Sequence, residues 1–196
     1  MGEPPALGLI EFRSIAAGTR ACDALIKKAP VRVIRLGSLQ PGKFAVLFSG
    51  GVAEVDQSFA EALRVGAAAV IDEVMLPQVE RSVYAAVLGH RGGWGAETLG
   101  IIETDTLAAT VEAADAAVKG ASVRVTEIRL GDGLGGKGLC HFAGPQADVE
   151  AALAIGGERA RRRPGREVTT SIMPRWDEDL RAALRRSTRF APKEKG

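Results

Sequence analysis

The chain has 196 residues, 46% of them hydrophobic and 26% charged, with a formal net charge of +2. That length accommodates one average domain or two small ones, with ample apolar material for a core. Near-balanced charge and an aromatic content of 5% exclude a strong field toward nucleic acid or anionic lipid, and exclude aromatic platforms for single strands.

Met1 leads into Gly2-Glu3-Pro4-Pro5, with no basic-then-apolar segment of the secretory type. No apolar stretch reaches the roughly 18 residues of a membrane span. These features predict a soluble, cytoplasmic protein. Leu7 to Phe12 is a predicted strand. Ser14 then suits an N-cap, and Ile15, Gly18, Cys22, Leu25, Ile26 and Ala29 recur at spacings of three and four, which predicts an amphipathic helix ended by Pro30. Val31 to Leu36 and Phe44 to Phe48 are predicted strands separated by a Gly/Pro loop. Val52, Val55, Phe59, Ala62 and Leu63 form a second helical stripe, and Ala68 to Leu76 a fourth strand. Pro77 suits the first turn of a short closing helix that carries Val79, Val83 and Val87.

The plan then repeats. Residues 98–128, TLGIIETDTLAATVEAADAAVKGASVRVTEI, align without a gap to residues 6–36, ALGLIEFRSIAAGTRACDALIKKAPVRVIRL, at an offset of 92. Beyond a two-residue insertion, Gly42-Lys43 pairs with Gly136-Lys137 and Val55 with Val149. Two copies make a duplicated domain rather than a solenoid. Each has the order β-α-β-β-α-β-α, an α+β, ferredoxin-like split βαβ unit with one extra helix. The expected domains are residues 5–90 and 97–186, followed by a basic tail over 187–196.

Several features imitate chemistry. Residues 131–138, GDGLGGKG, satisfy GxGxxG and nearly satisfy a P-loop, but Gly138 stands where a Ser or Thr should hold metal. Both motifs need a helix after the loop, and Leu139 to Phe142 instead reads as a strand. Cys140 and His141 are neighbours on a strand and point to opposite faces, so they form no nucleophile–base pair. Glu11 and Glu103, at matching strand positions, are expected to be structural carboxylates bonding nearby backbone N–H groups. The arginine run from Arg159 to Arg166 is expected to be a solvated loop, and Cys22 a small buried hydrophobe. No His/Cys/Asp/Glu group has metal-site spacing. No catalytic residue, metal or cofactor is therefore expected; the competing readings are a small-molecule or nucleotide sensor binding at GDGLGGKG, and an enzyme of this fold.

ALGLIE and TLGIIE, each followed by a helix ending in DALIKKA or DAAVKGA and a Val-Arg-Val strand, resemble the start of a bacterial microcompartment shell domain. GKFAVLFSG and GKGLCHFAG resemble its third strand, and SIMPRWDEDL its closing segment, with VMLPQVERSV as the more diverged first-copy version. The unpermuted order is similar to the tandem-domain class typified by the propanediol-utilisation shell trimer. The resemblance implies a homotrimeric, pseudohexagonal tile that packs edge to edge with hexameric and pentameric shell proteins in the shell of a compartment in the bacterial cytoplasm, and passes small metabolites through a central pore. It implies that Ser38, Leu39, Gln40 and Pro41, with Asp132, Gly133, Leu134 and Gly135, line that pore, and that Lys27, Lys119 and Arg175 serve the tile edge. In the propanediol trimer a cysteine at the position of Gln40 holds an iron–sulfur cluster. Gln40 offers no thiolate, so no cluster is expected here.

Overall fold

A computed structural model describes residues 5–131, 133–163 and 165–190. The first unit comprises β1 (Ala6–Phe12), α1 (Ile15–Lys28), β2 (Arg32–Leu39), β3 (Lys43–Gly50), α2 (Val52–Gly66), β4 (Val70–Leu76) and α3 (Arg81–Val87). The second comprises β5 (Thr98–Thr104), α4 (Leu107–Gly120), β6 (Arg124–Leu130), β7 (Gly138–Gly144), α5 (Gln146–Arg161), β8 (Val168–Pro174) and α6 (Glu178–Arg186). The sheets have the strand orders β2-β3-β1-β4 and β6-β7-β5-β8, and every pairing is antiparallel.

The period of two along each central strand sends alternate side chains to opposite faces. Ile10 and Phe12 join Leu25, Val46, Phe48 and Val55 in the core under α1 and α2. Leu7 and Leu9 point the other way and meet Val79, Val83 and Val87 around α3. β1 is consequently buried along its whole length. In the second unit, Ile102, Cys140 and Phe142 pack with Val111, Val149 and Leu153. The far face carries Leu99 and Ile101 against Trp94, Trp176 and Leu184.

Caps define the helix starts. Ser14 Oγ accepts from Ala17 N–H at 3.3 Å, and Thr106 Oγ1 accepts from Ala109 N–H at 3.3 Å. Two details depart from expectation. α3 begins at Arg81 rather than in the turn of Pro77, because the Glu80 carboxylate caps it through Ser82 N–H at 2.6 Å. Ile15 and Ile26, counted in the apolar stripe of α1, are exposed.

Gly8 lies beneath the Phe48 ring, which a Cβ there would overlap. Gly8→Ala is therefore expected to displace that ring and cost about 1–3 kcal/mol. A lowered urea midpoint without a change of slope checks this; an unchanged midpoint contradicts it.

Candidate assembly seam and axis turns

The two units share one apolar core. Leu9, Ala45 and Leu47 of the first cluster with Leu107, Ala108, Val111 and Ile128 of the second. Three polar contacts frame this seam.

The innermost is Glu11, carried by β1 to a fully buried position. Its Oε1 accepts from Ala108 N–H, in the first turn of α4, at 3.0 Å. The helix start supplies otherwise unpaired N–H groups and partial positive charge. Burial pushes the carboxyl up from 4.5 to about 7, opposed by the Ala108 amide, Lys43, the Leu107 amide and Arg166. Lys43 Nζ lies 3.8 Å from Glu11 Oε2 and donates to the Asp105 carbonyl at 3.3 Å.

The second contact centres on Asp72, buried on β4 opposite Glu11. It accepts from the Thr106 hydroxyl at 2.5 Å and pairs with Arg163 and, at 3.6 Å, with Arg166. Arg163 also reaches Glu112 at 3.1 Å, and Arg166 donates to the Ile71 carbonyl at 2.6 Å. The arginine run expected as a solvated loop is thus partly folded into the seam. Its longer loop has no basic counterpart in the first unit, where Ala67–Ala69 fills the turn; that difference between the copies was the available signal.

The third contact is at the rim. Asp115 Oδ1 accepts from Glu80 N–H at 2.8 Å, while Lys119 Nζ reaches Asp115 Oδ2 at 2.6 Å and the Gln78 carbonyl at 2.5 Å.

Duplication supplies the groups of the first and third contacts twice, and the two sets differ in what covers them. Leu107 is 4% exposed but its counterpart Ile15 is 46%; Ile128 is 7% exposed but Leu36 is 52%. The Asp115 side chain is 7% exposed and that of Asp23 62%. The Glu11 side chain is fully buried, whereas that of Glu103 is 41% exposed and pairs with Lys137 at 2.6 Å. Glu11 thus bonds a backbone N–H as expected of both glutamates, while Glu103 meets a lysine of its own unit.

The residues assigned to the pore occupy two adjacent turns. Ser38 and Leu39 end β2, and Gln40 and Pro41 form the turn into β3. Gly133, Leu134 and Gly135 lie in the turn from β6 to β7, and Asp132 lies outside the described residues. The turns touch: a Cβ on Gly131 would meet Leu39 Cδ2 at 2.8 Å, and one on Gly136 the Gln40 carbonyl at 2.7 Å. Of the edge residues, Lys27 is exposed at the end of α1 and pairs with Asp23 at 2.7 Å. Lys119 reaches across the seam, as above. Arg175 is exposed in a left-handed conformation, φ 47°, in the turn before α6.

GDGLGGKG joins two antiparallel strands and leads into β7 rather than into a helix. His141 is buried against Trp94, with ring centroids 5.4 Å apart. Burial, then Arg91 and Arg129, lower its pKa to about 4, so the 3.9 Å approach to Glu127 is not an ion pair at neutral pH. Cys22 and Cys140 are buried free thiols; burial raises Cys22 to about 11 and Cys140 well above its ordinary value. Among the described residues no group of three or more His, Cys, Asp or Glu is arranged to hold a metal, and no helix is long and apolar enough to cross a membrane.

The BMC domain model matches residues 6–79 and again 98–176. The chain belongs to the BMC-domain family. It is 34% identical over 175 residues to the bacterial microcompartment shell protein PduT of Citrobacter freundii, a match covering 89% of this chain and 95% of that one. The shell protein EutM of Salmonella typhimurium is 41% identical over 86 residues, 43% of this chain and 84% of its own. Among solved structures, a microcompartment protein from Desulfitobacterium hafniense DCB superposes with a TM-score of 0.79 at 35% identity, covering 90% of this chain and 98% of that one. The protein is a bacterial microcompartment shell protein of the tandem BMC type.

Glu11 gives the seam a pH dependence. Below about pH 4.5 its carboxyl is neutral whether folded or unfolded. Between 4.5 and about 7 the unfolded chain ionises it while the folded chain keeps it protonated, so its contribution to stability falls as pH rises through that window. Glu11→Gln keeps an acceptor for Ala108 N–H and removes the titration. Urea unfolding from pH 4.5 to 7.5 is expected to show wild type losing stability relative to the variant; a constant difference contradicts this.

Proposed function

We propose that three copies close into a pseudohexagonal ring, a non-enzymatic tile that packs with hexameric and pentameric shell proteins and passes small metabolites through its centre. The observation that carries the reading is the contrast between the two copies of the duplicated unit. α4 and β6 are covered by the first unit, whereas the equivalent faces of α1 and β2 are exposed, with Ile15 and Leu36 on them. A chain with one used and one unused version of the same face closes when copies repeat the seam head to tail. Because each chain contributes two units, three chains supply six.

In such a ring the turns of Ser38–Pro41 and Gly133–Gly135 face the axis. Their contact inside the chain supports this, since six adjoining turns form a collar. Gln40 and Ser38 then give the opening a polar lining suited to small neutral or anionic solutes. Residues 5–90 and 97–186 are the two sectors of one chain. At the rim Lys27, Lys119 and Arg175 retain exposed groups for a neighbouring tile; Gln78, the first-unit counterpart of Arg175, makes alternate edges unlike.

Native mass spectrometry is expected to give three times the 20.5 kDa chain mass, with sheets or tubes in negative stain. A species of one chain mass at micromolar concentration contradicts the ring. The axis collar carries Gln40 where a cluster would need thiolates, and both cysteines are buried. Anaerobic reconstitution is therefore expected to leave no stoichiometric iron or labile sulfide; a recovered cluster contradicts this. Replacing Gln40 by Trp in assembled shells is expected to slow solute entry, and unchanged permeation contradicts the axial role.

A further inference from the structure

A pocket of about 150 Å³ gathers residues from both units and from the segments that follow them. It is lined by Arg35 of β2, Gly89 and Arg91 of the linker, Glu127 and Arg129 of β6, and Arg189 beyond α6. Four guanidinium groups therefore face one carboxylate, and Glu127 is the one acid among the described lining residues. Like charges brought this close repel unless something of opposite sign joins them.

The carboxylate is already engaged. Arg91 Nε lies 2.9 Å from Glu127 Oε1, Arg91 Nη2 donates to Oε2 at 3.3 Å, and the Thr188 hydroxyl donates to Oε1 at 3.0 Å. Arg91 Nη2 also donates to the Leu184 carbonyl at 2.7 Å, and Arg129 Nη1 donates to the Thr188 carbonyl at 2.8 Å. These bonds fix one wall of the pocket and tie the segment after α6 to it. Arg35 and Arg189 are different. Among the described residues their guanidinium groups make no hydrogen bond or ion pair. Arg35 Nη2 nevertheless reaches across to the linker, where a Cβ on Gly89 would lie 3.5 Å from it. Behind the wall, burial and then the charges of Arg91 and Arg129 hold His141 down at about 4, which agrees with a positive potential on this face.

We propose that this pocket binds the phosphoryl group of a small phosphate compound, with Arg35 and Arg189 as its direct ligands and Arg91 and Arg129 as the fixed positive wall. Guanidinium forks match phosphate oxygens in paired hydrogen bonds. A tetrahedral dianion can take such bonds from several directions at once, whereas a carboxylate offers one charge and two oxygens in a plane. The volume sets the size, since pockets for drug-sized ligands run to roughly 300–1,000 Å³. Inorganic phosphate or a phosphorylated metabolite of a few carbons fits, and a nucleotide does not. The pocket is not a product of the duplication: at the offset of 92 the counterpart of Arg35 is Glu127 itself. It lies within one chain, so it requires no ring. β6 runs on from it into the turn at Gly131, which sets a bound phosphate beside the turns assigned to the axis rather than between them.

Isothermal titration of the full-length protein at fixed ionic strength tests this, with inorganic phosphate, glycerol 3-phosphate and acetate as probes. One saturable site per chain is expected for both phosphate probes, with weaker binding of acetate. Arg35→Gln and Arg189→Gln are each expected to weaken phosphate binding at least ~10-fold, the loss that goes with one charged hydrogen bond. Neither side chain bonds another described residue, so the urea midpoint of both variants should stay at the wild-type value. Arg64→Gln, which removes an exposed cation from α2, should leave binding within about twofold. Equal affinity for the two phosphate probes supports a site for free phosphate, and tighter glycerol 3-phosphate supports a site for a phosphorylated metabolite. The proposal is overturned by wild-type protein with no saturable phosphate site, or by acetate bound as tightly as phosphate. Binding that survives both the Arg35 and Arg189 variants, or that falls equally with Arg64→Gln, overturns it too.

Discussion

A carboxylate meeting a helix start organises this molecule. Glu11 is buried on the central strand of one sheet and aimed at the first turn of a helix from the other unit. Removing a carboxyl group from water carries a large penalty, which the raised pKa reflects. The position is tolerable because α4 brings N–H donors that lack partners within their own helix, and because Lys43 adds positive charge. Each unit therefore solves a problem of the other: the first has a carboxylate that needs donors, and the second has donors that need an acceptor. Around that pair the apolar faces close and the rim contacts of Asp115 and Lys119 fall into register.

Duplication then explains the exposed surface. A single chain has two copies of each half of the contact but joins only one of each. The unused halves, α1 with β2 on one flank and Glu103 with Lys137 on the other, are where exposed Ile15, Leu36 and unburied charge collect. The divergence between copies follows the same division. The arginines that reinforce the internal seam have no equivalent in the first unit, so the two kinds of seam in a closed ring would differ in strength while sharing one geometry.

Much of this was legible in the sequence, because the relevant signals are local. Periods of two and of three to four, the caps at Ser14 and Thr106, and the gap-free repeat each report backbone geometry directly. The strand after GDGLGGKG removed the nucleotide reading for the same reason. What was not legible depends on which surfaces meet. Ile15 and Ile26 look like core residues by spacing, since helical periodicity marks an apolar face without saying whether the chain itself covers it. Arg163 and Arg166 look like solvent-facing charge, since nothing in a basic run reveals that Asp72, some 90 residues earlier, is buried within reach. Glu11 and Glu103 look equivalent and are not, because within the chain only Glu11 meets a helix start of the other unit.

The central claim is that the seam inside the chain is repeated between chains. Hydrogen–deuterium exchange resolved to single amides tests it directly, by comparing the start of α1 with the start of α4 in the assembled protein. The account predicts that Ile15 and Ala16 are as slowly exchanging as Leu107 and Ala108 in the assembly, and that dilution to single chains releases the first pair while the second stays protected. Rapid exchange at Ile15 and Ala16 in the assembly, with Leu107 and Ala108 protected, would contradict it.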